Sequence, residues 1–246
     1  MRIVTLYTGY KSPYAYLAKD LAYELARQFP IVLDVLPYTL DIPKFLGSAE
    51  LDEDGKLKSE ERNDHQWRRV RYSYMDARRQ ARKRGLTILG PRKIWDSSLA
   101  AIGLLFAKRQ GEAVMRAYHD RVFERFWRRD LDIENPEVLE AVLREAGGNS
   151  AGFIDYLAGE GRREHDAVQE AAHEKGVFGV PSFIVNGELF WAASTFRIFV
   201  RCYGPTNGSV ISWEWPPHRD TALGRGRCPN PRARIAGCGG AFRIPC

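Results

Sequence analysis

Residues 3–40 constrain this chain most. Ile3 to Tyr7 is a short apolar run with β-branched members, ended by Gly9, and it reads as a buried strand. From Pro13 onward Tyr14, Leu17, Leu21 and Leu25 recur at helical spacing, with Ala18 and Ala22 beside them, until Gln28-Phe29-Pro30 closes the pattern. Ile31 to Leu40 reads as a second strand, so the chain opens as β-α-β and belongs to the α/β class.

The middle of the chain changes period. Residues 41–62 are polar, with Asp-Glu-Asp-Gly at 52–55, and read as a loop. Helices are expected from about Asn63 to Arg84, Ser97 to Arg109, Glu112 to Trp127, Pro136 to Ala146 and Ala151 to Leu157, so 41–160 forms a nearly all-helical block. A further helix, His165 to Lys175, ends at Gly176. "VPSFIVNGELFW" then reads as two short strands around Asn186-Gly187. Strands at both ends with helices between point to one sheet interrupted by a helical insertion. The expected boundaries are 1–40 with 161–200 for the sheet domain, 41–160 for the insertion, and 201–246 for an atypical tail.

Charge excludes some functions. The chain has 246 residues and a net charge of +6, but residues 192–246 carry all of it, with eight arginines, no lysine and two acids. Residues 1–191 are neutral, so the basic run "RRQARKR" (78–84) reads as a solvated helix face and not a nucleic-acid patch. The five histidines lack metal-ligand spacing, so no metal is expected. No apolar run spans a bilayer and the N-terminus lacks a signal-peptide pattern, which makes the cytoplasm the expected location. All four cysteines (202, 228, 238 and 246) lie in the tail, so the body holds no Cys-x-x-Cys pair.

Two short stretches could carry chemistry. Ser12-Pro13 is an ordinary helix start, serine as N-cap and proline at the first helical position. The same geometry presents free N–H groups and the positive end of a helix dipole, which stabilise an anion such as a thiolate. Spacing alone leaves both readings open. In "GVFGVPSFIVNG", Pro181 sits where a strand begins, and the backbone of Val180 before it is free to pair with an extended ligand.

The pattern aromatic-x-x-x-x-Ser-Pro-Tyr-x-Tyr-Leu-Ala near the start, with Gly-Val-Phe-Gly-Val-Pro-Ser-Phe and a closing Phe-Trp some 170 residues later, resembles the DsbA-like thioredoxin-fold family. Within it the chain resembles the branch of 2-hydroxychromene-2-carboxylate isomerases and kappa-class glutathione transferases. The resemblance covers residues 1–191 and implies a thioredoxin-like fold with an inserted all-helical domain. It places Ser12 where redox members keep the first cysteine, and implies that its hydroxyl holds the sulfur of glutathione as a thiolate. It also implies that Val180, beside a cis Pro181, pairs with the cysteinyl backbone of glutathione. "RVRYSYMDARRQARKRGL" is similar to the family's Lys-x-x-Tyr-x-x-x-Asp, which puts Arg69 in the place of a carboxylate-holding lysine, with Tyr72 and Asp76 matching the rest. Arginine binds a carboxylate bidentately, so the exchange is sound; a solvated helix charge is the plain alternative. Asn63 is a further candidate polar contact. Gly9 and Ala15 depart from the family pattern, as does a long 46–62 segment.

After Trp191 the pattern breaks. The family would continue Trp-Gly and close with a helix over the sheet and an acidic contact to the γ-glutamyl amine. A shift of reading frame at this junction accounts for the break. Tryptophan's codon ends in G and every alanine codon starts GC, so the shifted frame gives Trp-Gly. A genuine basic extension is the other reading.

The expectation for function is a glutathione-dependent isomerase or transferase acting on a small hydrophobic or aromatic electrophile bound between the sheet domain and the helical block. The expected partner is a small-molecule substrate, with no nucleic acid or membrane and a homodimer as one assembly open to it. A thiol-disulfide oxidoreductase and a catalytically silent binding module are the alternatives, and the cysteine-free body argues against the first.

Overall fold

The computed structural model describes residues 2–52 and 54–192, all within one compact unit. The expectations for the tail, its closing helix, acidic contact and changed frame, lie outside the described residues. β1 (Arg2–Thr8) pairs in parallel with β2 (Ile31–Pro37), Leu6 opposite Val35. On the other side of β1 runs antiparallel β5 (Ser182–Val185), Tyr7 opposite Ser182, and β6 (Glu188–Trp191) returns beside it. The sheet order is therefore β2-β1-β5-β6. Asn186 and Gly187 turn the β5–β6 hairpin with φ of 52° and 82°, the paired positive values that a two-residue turn requires.

α1 (Pro13–Gln28) crosses from β1 to β2 and buries the face carrying Leu17, Leu21 and Leu25. A buried Lys19 fixes its direction through ion pairs with Asp20 at 2.5 Å and Asp120 at 2.6 Å. The Arg84 guanidinium adds bonds to the Leu17 carbonyl and to Asp20.

The helical block contains α3 (Asp64–Lys83), α4 (Ser98–Arg109), α5 (Glu112–Arg128), α6 (Pro136–Glu145), α7 (Phe153–Ala158) and α8 (Glu160–Glu174). The sequence "SLAAIGLLFAKR" is apolar nearly all round, and α4 accordingly sits at the centre, touching α5, α6, α7, α8 and β2. Gly103 permits this packing: a Cβ there would lie 2.1 Å from the Tyr118 hydroxyl of α5. Because α4 and α8 both rest on β2, the block and the sheet share one core.

Three expectations need correction. The stretch 41–62 is not all loop, since α2 (Ile42–Leu46) opens it, capped by the Asp41 carboxylate on the Lys44 N–H. An antiparallel hairpin of β3 (Ala49–Leu51) and β4 (Leu57–Glu60) follows, so the insertion is not all-helical. Both strands are short, β3 half-buried and β4 exposed throughout, so neither shows the apolar alternation that marks a strand. α8 begins at Glu160, five residues before the expected start at His165.

Candidate functional site

The carboxyl end of β1 is where distant segments meet. Beyond Thr8 the chain turns at Gly9, whose carbonyl accepts from the Ser12 N–H at 3.0 Å. Tyr38, just after β2, donates its N–H to the Thr8 carbonyl at 2.6 Å and crowds the turn from the side. A Cβ on Gly9 would lie 2.5 Å from the Tyr38 oxygen and 3.2 Å from Val180 Cγ2. Only glycine fits, which gives a physical reason for the departure at this position.

Ser12 caps α1 from an extended backbone (φ −98°, ψ 116°), its Oγ accepting from the Ala15 N–H at 3.2 Å. The same hydroxyl donates to the Val180 carbonyl at 3.1 Å, joining residues 168 apart. The Val180-Pro181 bond is cis, and Ser182 Oγ donates back to the Gly179 carbonyl at 2.7 Å. Ser12 and Val180 are each 6% exposed. The arrangement supplies one rotatable hydroxyl at the positive end of a 16-residue helix whose first turn holds no acid. Such a place favours an anion.

Behind the turn, Thr8 Oγ1 lies 3.3 Å from His119 Nε2, and the Tyr23 hydroxyl 2.7 Å from His119 Nδ1. The imidazole is fully buried. Burial, and secondarily the Lys19 charge, holds its pKa well below the ordinary 6.5.

Ser12 opens onto a cavity of about 590 Å³. Lys11, Pro13 and Tyr14 line it from the β1–α1 turn, and Trp67, Tyr74 and Met75 from α3. Ile94 and Trp95 line it from the 85–97 segment and Phe126 from α5. The Tyr14 hydroxyl donates to Asp76 at 3.1 Å. Burial first, and that hydrogen bond next, push its pKa up to about 12. Burial lowers the pKa of the Lys11 ammonium, against weaker opposing attraction from Asp96, Asp41 and Glu134.

The structure brings Ser12, Val180 and Pro181 together. Arg69 is exposed on α3 and is not among the residues lining the cavity. Tyr72 is 58% exposed, and Asp76 faces Tyr14 and Gln80. Asn63, expected as a ligand contact, instead caps α3, accepting from the Gln66 N–H while Gln66 bonds back to the Asn63 N–H. The lining residues that sequence reasoning missed are Trp67, Arg71, Tyr74 and Arg78. Their spacing of three or four residues is one helix face, a signal available beside the Arg69 face. Among the described residues no group of three or more His, Cys, Asp and Glu side chains could hold a metal ion, and no helix is long and apolar enough to cross a membrane.

The profile of the DSBA-like thioredoxin domain matches residues 3–203. The chain belongs to this family. It is 24% identical over 192 residues to the 2-hydroxychromene-2-carboxylate isomerase of Pseudomonas putida, covering 77% of this chain and 88% of that one. Among solved structures, a 2-hydroxychromene-2-carboxylate isomerase superposes with a TM-score of 0.64 at 22% identity, over 82% of this chain and 94% of that one. A probable DsbA oxidoreductase from Streptomyces coelicolor gives the same TM-score at 16% identity, over 82% and 88%. At these identities the structural likeness speaks for the DsbA-like thioredoxin fold. The similarity to isomerases points to an enzyme.

Proposed function

We propose that this member of the family is a glutathione-dependent isomerase or transferase acting on a small aromatic electrophile. The observation that carries the reading is the Ser12–Val180 contact. It places a hydroxyl at a helix N-terminus, and a strand-entry backbone beside a cis proline, at one end of an apolar cavity. A thiol needs that combination: a donor and a helix dipole to favour the thiolate, and an extended backbone to hold the peptide around it.

The residues fit glutathione on chemical grounds. The Ser12 hydroxyl turns from the Val180 carbonyl to the sulfur, and the Val180 backbone holds the cysteinyl unit. Arg69, exposed on α3 and outside the cavity lining, is the proposed holder of a carboxylate. Bound there, glutathione would supply a soft nucleophile for an electrophilic carbon, leaving again unchanged in an isomerisation or displacing a group with its electron pair in a transfer. The aromatic walls hold the acceptor and exclude water. Residues 1–191 contain no cysteine, so none of them supplies a thiol for disulfide exchange. Glutathione is the cytosolic thiol pool, so the cytoplasm is the fitting compartment.

The test is a thermal-shift titration with millimolar glutathione on the wild type and on Ser12→Ala. Ligand at about a hundredfold over Kd stabilises by about 2.7 kcal/mol, or roughly 5–10 °C for a chain of this size. The wild type should shift and Ser12→Ala should lose most of the shift. A flat wild-type titration removes the proposal. Glutathione-dependent turnover of 2-hydroxychromene-2-carboxylate then distinguishes isomerase from transferase.

A further inference from the structure

The cavity carries a charge that its proposed co-substrate does not balance. Arg62, Arg71, Arg78 and Arg129 line it, as do Lys11, Arg92 and Lys93, and no aspartate or glutamate does. Of these seven cations, only Lys93 has a carboxylate of the described residues within ion-pair distance, Glu134 at 2.5 Å. Bound glutathione with its thiol ionised has a net charge of about −2, from two carboxylates, a thiolate and an ammonium. Arg62, Arg71, Arg78, Arg92 and Arg129 are left with no carboxylate of the described residues at ion-pair distance.

The arginines are also oriented. Arg62 donates through Nε to the Leu46 carbonyl at 2.9 Å, and Arg78 through Nε to the Ile88 carbonyl at 3.0 Å. Arg129 donates through Nε to the Gly90 carbonyl at 2.8 Å. Each guanidinium is thus tied to the backbone by its inner nitrogen, Arg129 also by Nη2 to the same Gly90 carbonyl, and among the described residues the terminal nitrogens of Arg62 and Arg78 have no hydrogen-bond partner. The Arg62 and Arg71 guanidinium groups lie 4.9 and 5.5 Å from the Trp67 ring centre, and Arg78 lies 5.6 Å from that of Tyr74. A guanidinium held over an aromatic ring is restrained, which suits it to bind a carboxylate bidentately. The arginines fall into two pairs, Arg62 with Arg71 at Trp67, and Arg78 with Arg129 flanking residues 88–90. Tyr74 lies between them. Burial pushes its pKa up to about 12, against the opposing charges of Arg62, Arg78 and Arg129.

We infer that the second ligand of this cavity is a planar aromatic compound with at least two carboxylates, one held by Arg62 and Arg71 and the other by Arg78 and Arg129. This names the acceptor of the proposed glutathione reaction and rests on that reading for its role as substrate. Its binding does not depend on it. Trp67, Tyr74 and Trp95 supply the flat apolar walls, and the arginine pairs set the anionic groups at two points of the ring.

Calorimetric titration of the full chain without glutathione tests this, using naphthalene carboxamide, naphthalene monocarboxylate and naphthalene dicarboxylate. Affinity should rise about tenfold with each carboxylate, the scale of one charge-assisted hydrogen bond. The gain should shrink as salt rises. Arg71→Ala removes no hydrogen bond among the described residues, and should cost the dicarboxylate about tenfold while leaving the carboxamide unchanged. Arg78→Ala should do the same, and Arg78→Lys should restore part of the loss. A dicarboxylate that binds no tighter than the carboxamide overturns the inference on the wild type alone, whatever the variants do. Equal weakening of all three compounds by Arg71→Ala overturns it too. A cavity that prefers the dicarboxylate in a chain that glutathione fails to stabilise would refute the enzyme reading and leave the ligand class standing.

Discussion

Replacing Ser12 by alanine removes two hydrogen bonds made by one oxygen. The first is the cap on the Ala15 N–H, whose loss costs about 0.5–2 kcal/mol. The second is the bond to the Val180 carbonyl, worth about 1 kcal/mol and more if the buried acceptor is left unpaired. The expected destabilisation is therefore about 1.5–3 kcal/mol. Urea unfolding followed by far-ultraviolet circular dichroism reads this as a lower midpoint at unchanged slope. Ser12→Gly separates the two contributions, since glycine retains most of the capping free energy but has no hydroxyl for Val180. It should be less destabilised than Ser12→Ala by about 1 kcal/mol. If Ser12→Ala unfolds within about 0.5 kcal/mol of the wild type, it behaves as an ordinary surface change. The Ser12–Val180 link then does not hold the two motifs together, and the reasoning fails.

Other consequences follow from the same region. Gly9→Ala forces a Cβ against the Tyr38 carbonyl at 2.5 Å and should destabilise by about 1–3 kcal/mol; wild-type stability would show that the turn can shift freely. His119 is held neutral by burial, its folded pKa below the unfolded 6.5. Below pH 6.5 the unfolded chain binds the extra proton, so this residue's contribution is present above that pH and lost as pH falls. Between pH 7.5 and 5.5 the wild type should lose about 1.4 kcal/mol more than His119→Gln, measured by urea unfolding at both values; parallel losses would refute it. Gly103→Ala would meet the Tyr118 hydroxyl at 2.1 Å and should cost about 1–3 kcal/mol, read as a fall in Tm.

Much of the fold is legible because periodicity survives wherever an element buries one continuous face. α1, α3, α4 and α5 run within a residue or two of their expected spans, and Asn186-Gly187 turns the hairpin as its φ preference dictates. β3 and β4 escaped because β3 is only half-buried and β4 is exposed throughout. They matter even so, since the Leu51 N–H bonds the Arg92 carbonyl at 2.7 Å and ties the hairpin to the 85–97 segment at the cavity wall. On α3, attention to Arg69 selected the exposed face, whereas the face of Trp67, Arg71, Tyr74 and Arg78 lines the cavity. Helical spacing groups residues by face, but it does not say which of two arginine-bearing faces meets the ligand space.

By itself the sequence determined the α/β class, the helix that starts at Ser12-Pro13, the neutral cysteine-free body and the two motifs some 170 residues apart. Each is a local matter of backbone preference, apolar period or composition. Tertiary structure decided what those residues touch. It put Val180 on the Ser12 hydroxyl, turned Asn63 into a cap, and gathered cations from the β1–α1 turn, α3, the 85–97 segment and Arg129 around one apolar space. Such convergence depends on how helices and strands pack across long separations, and spacing along the chain carries no record of it.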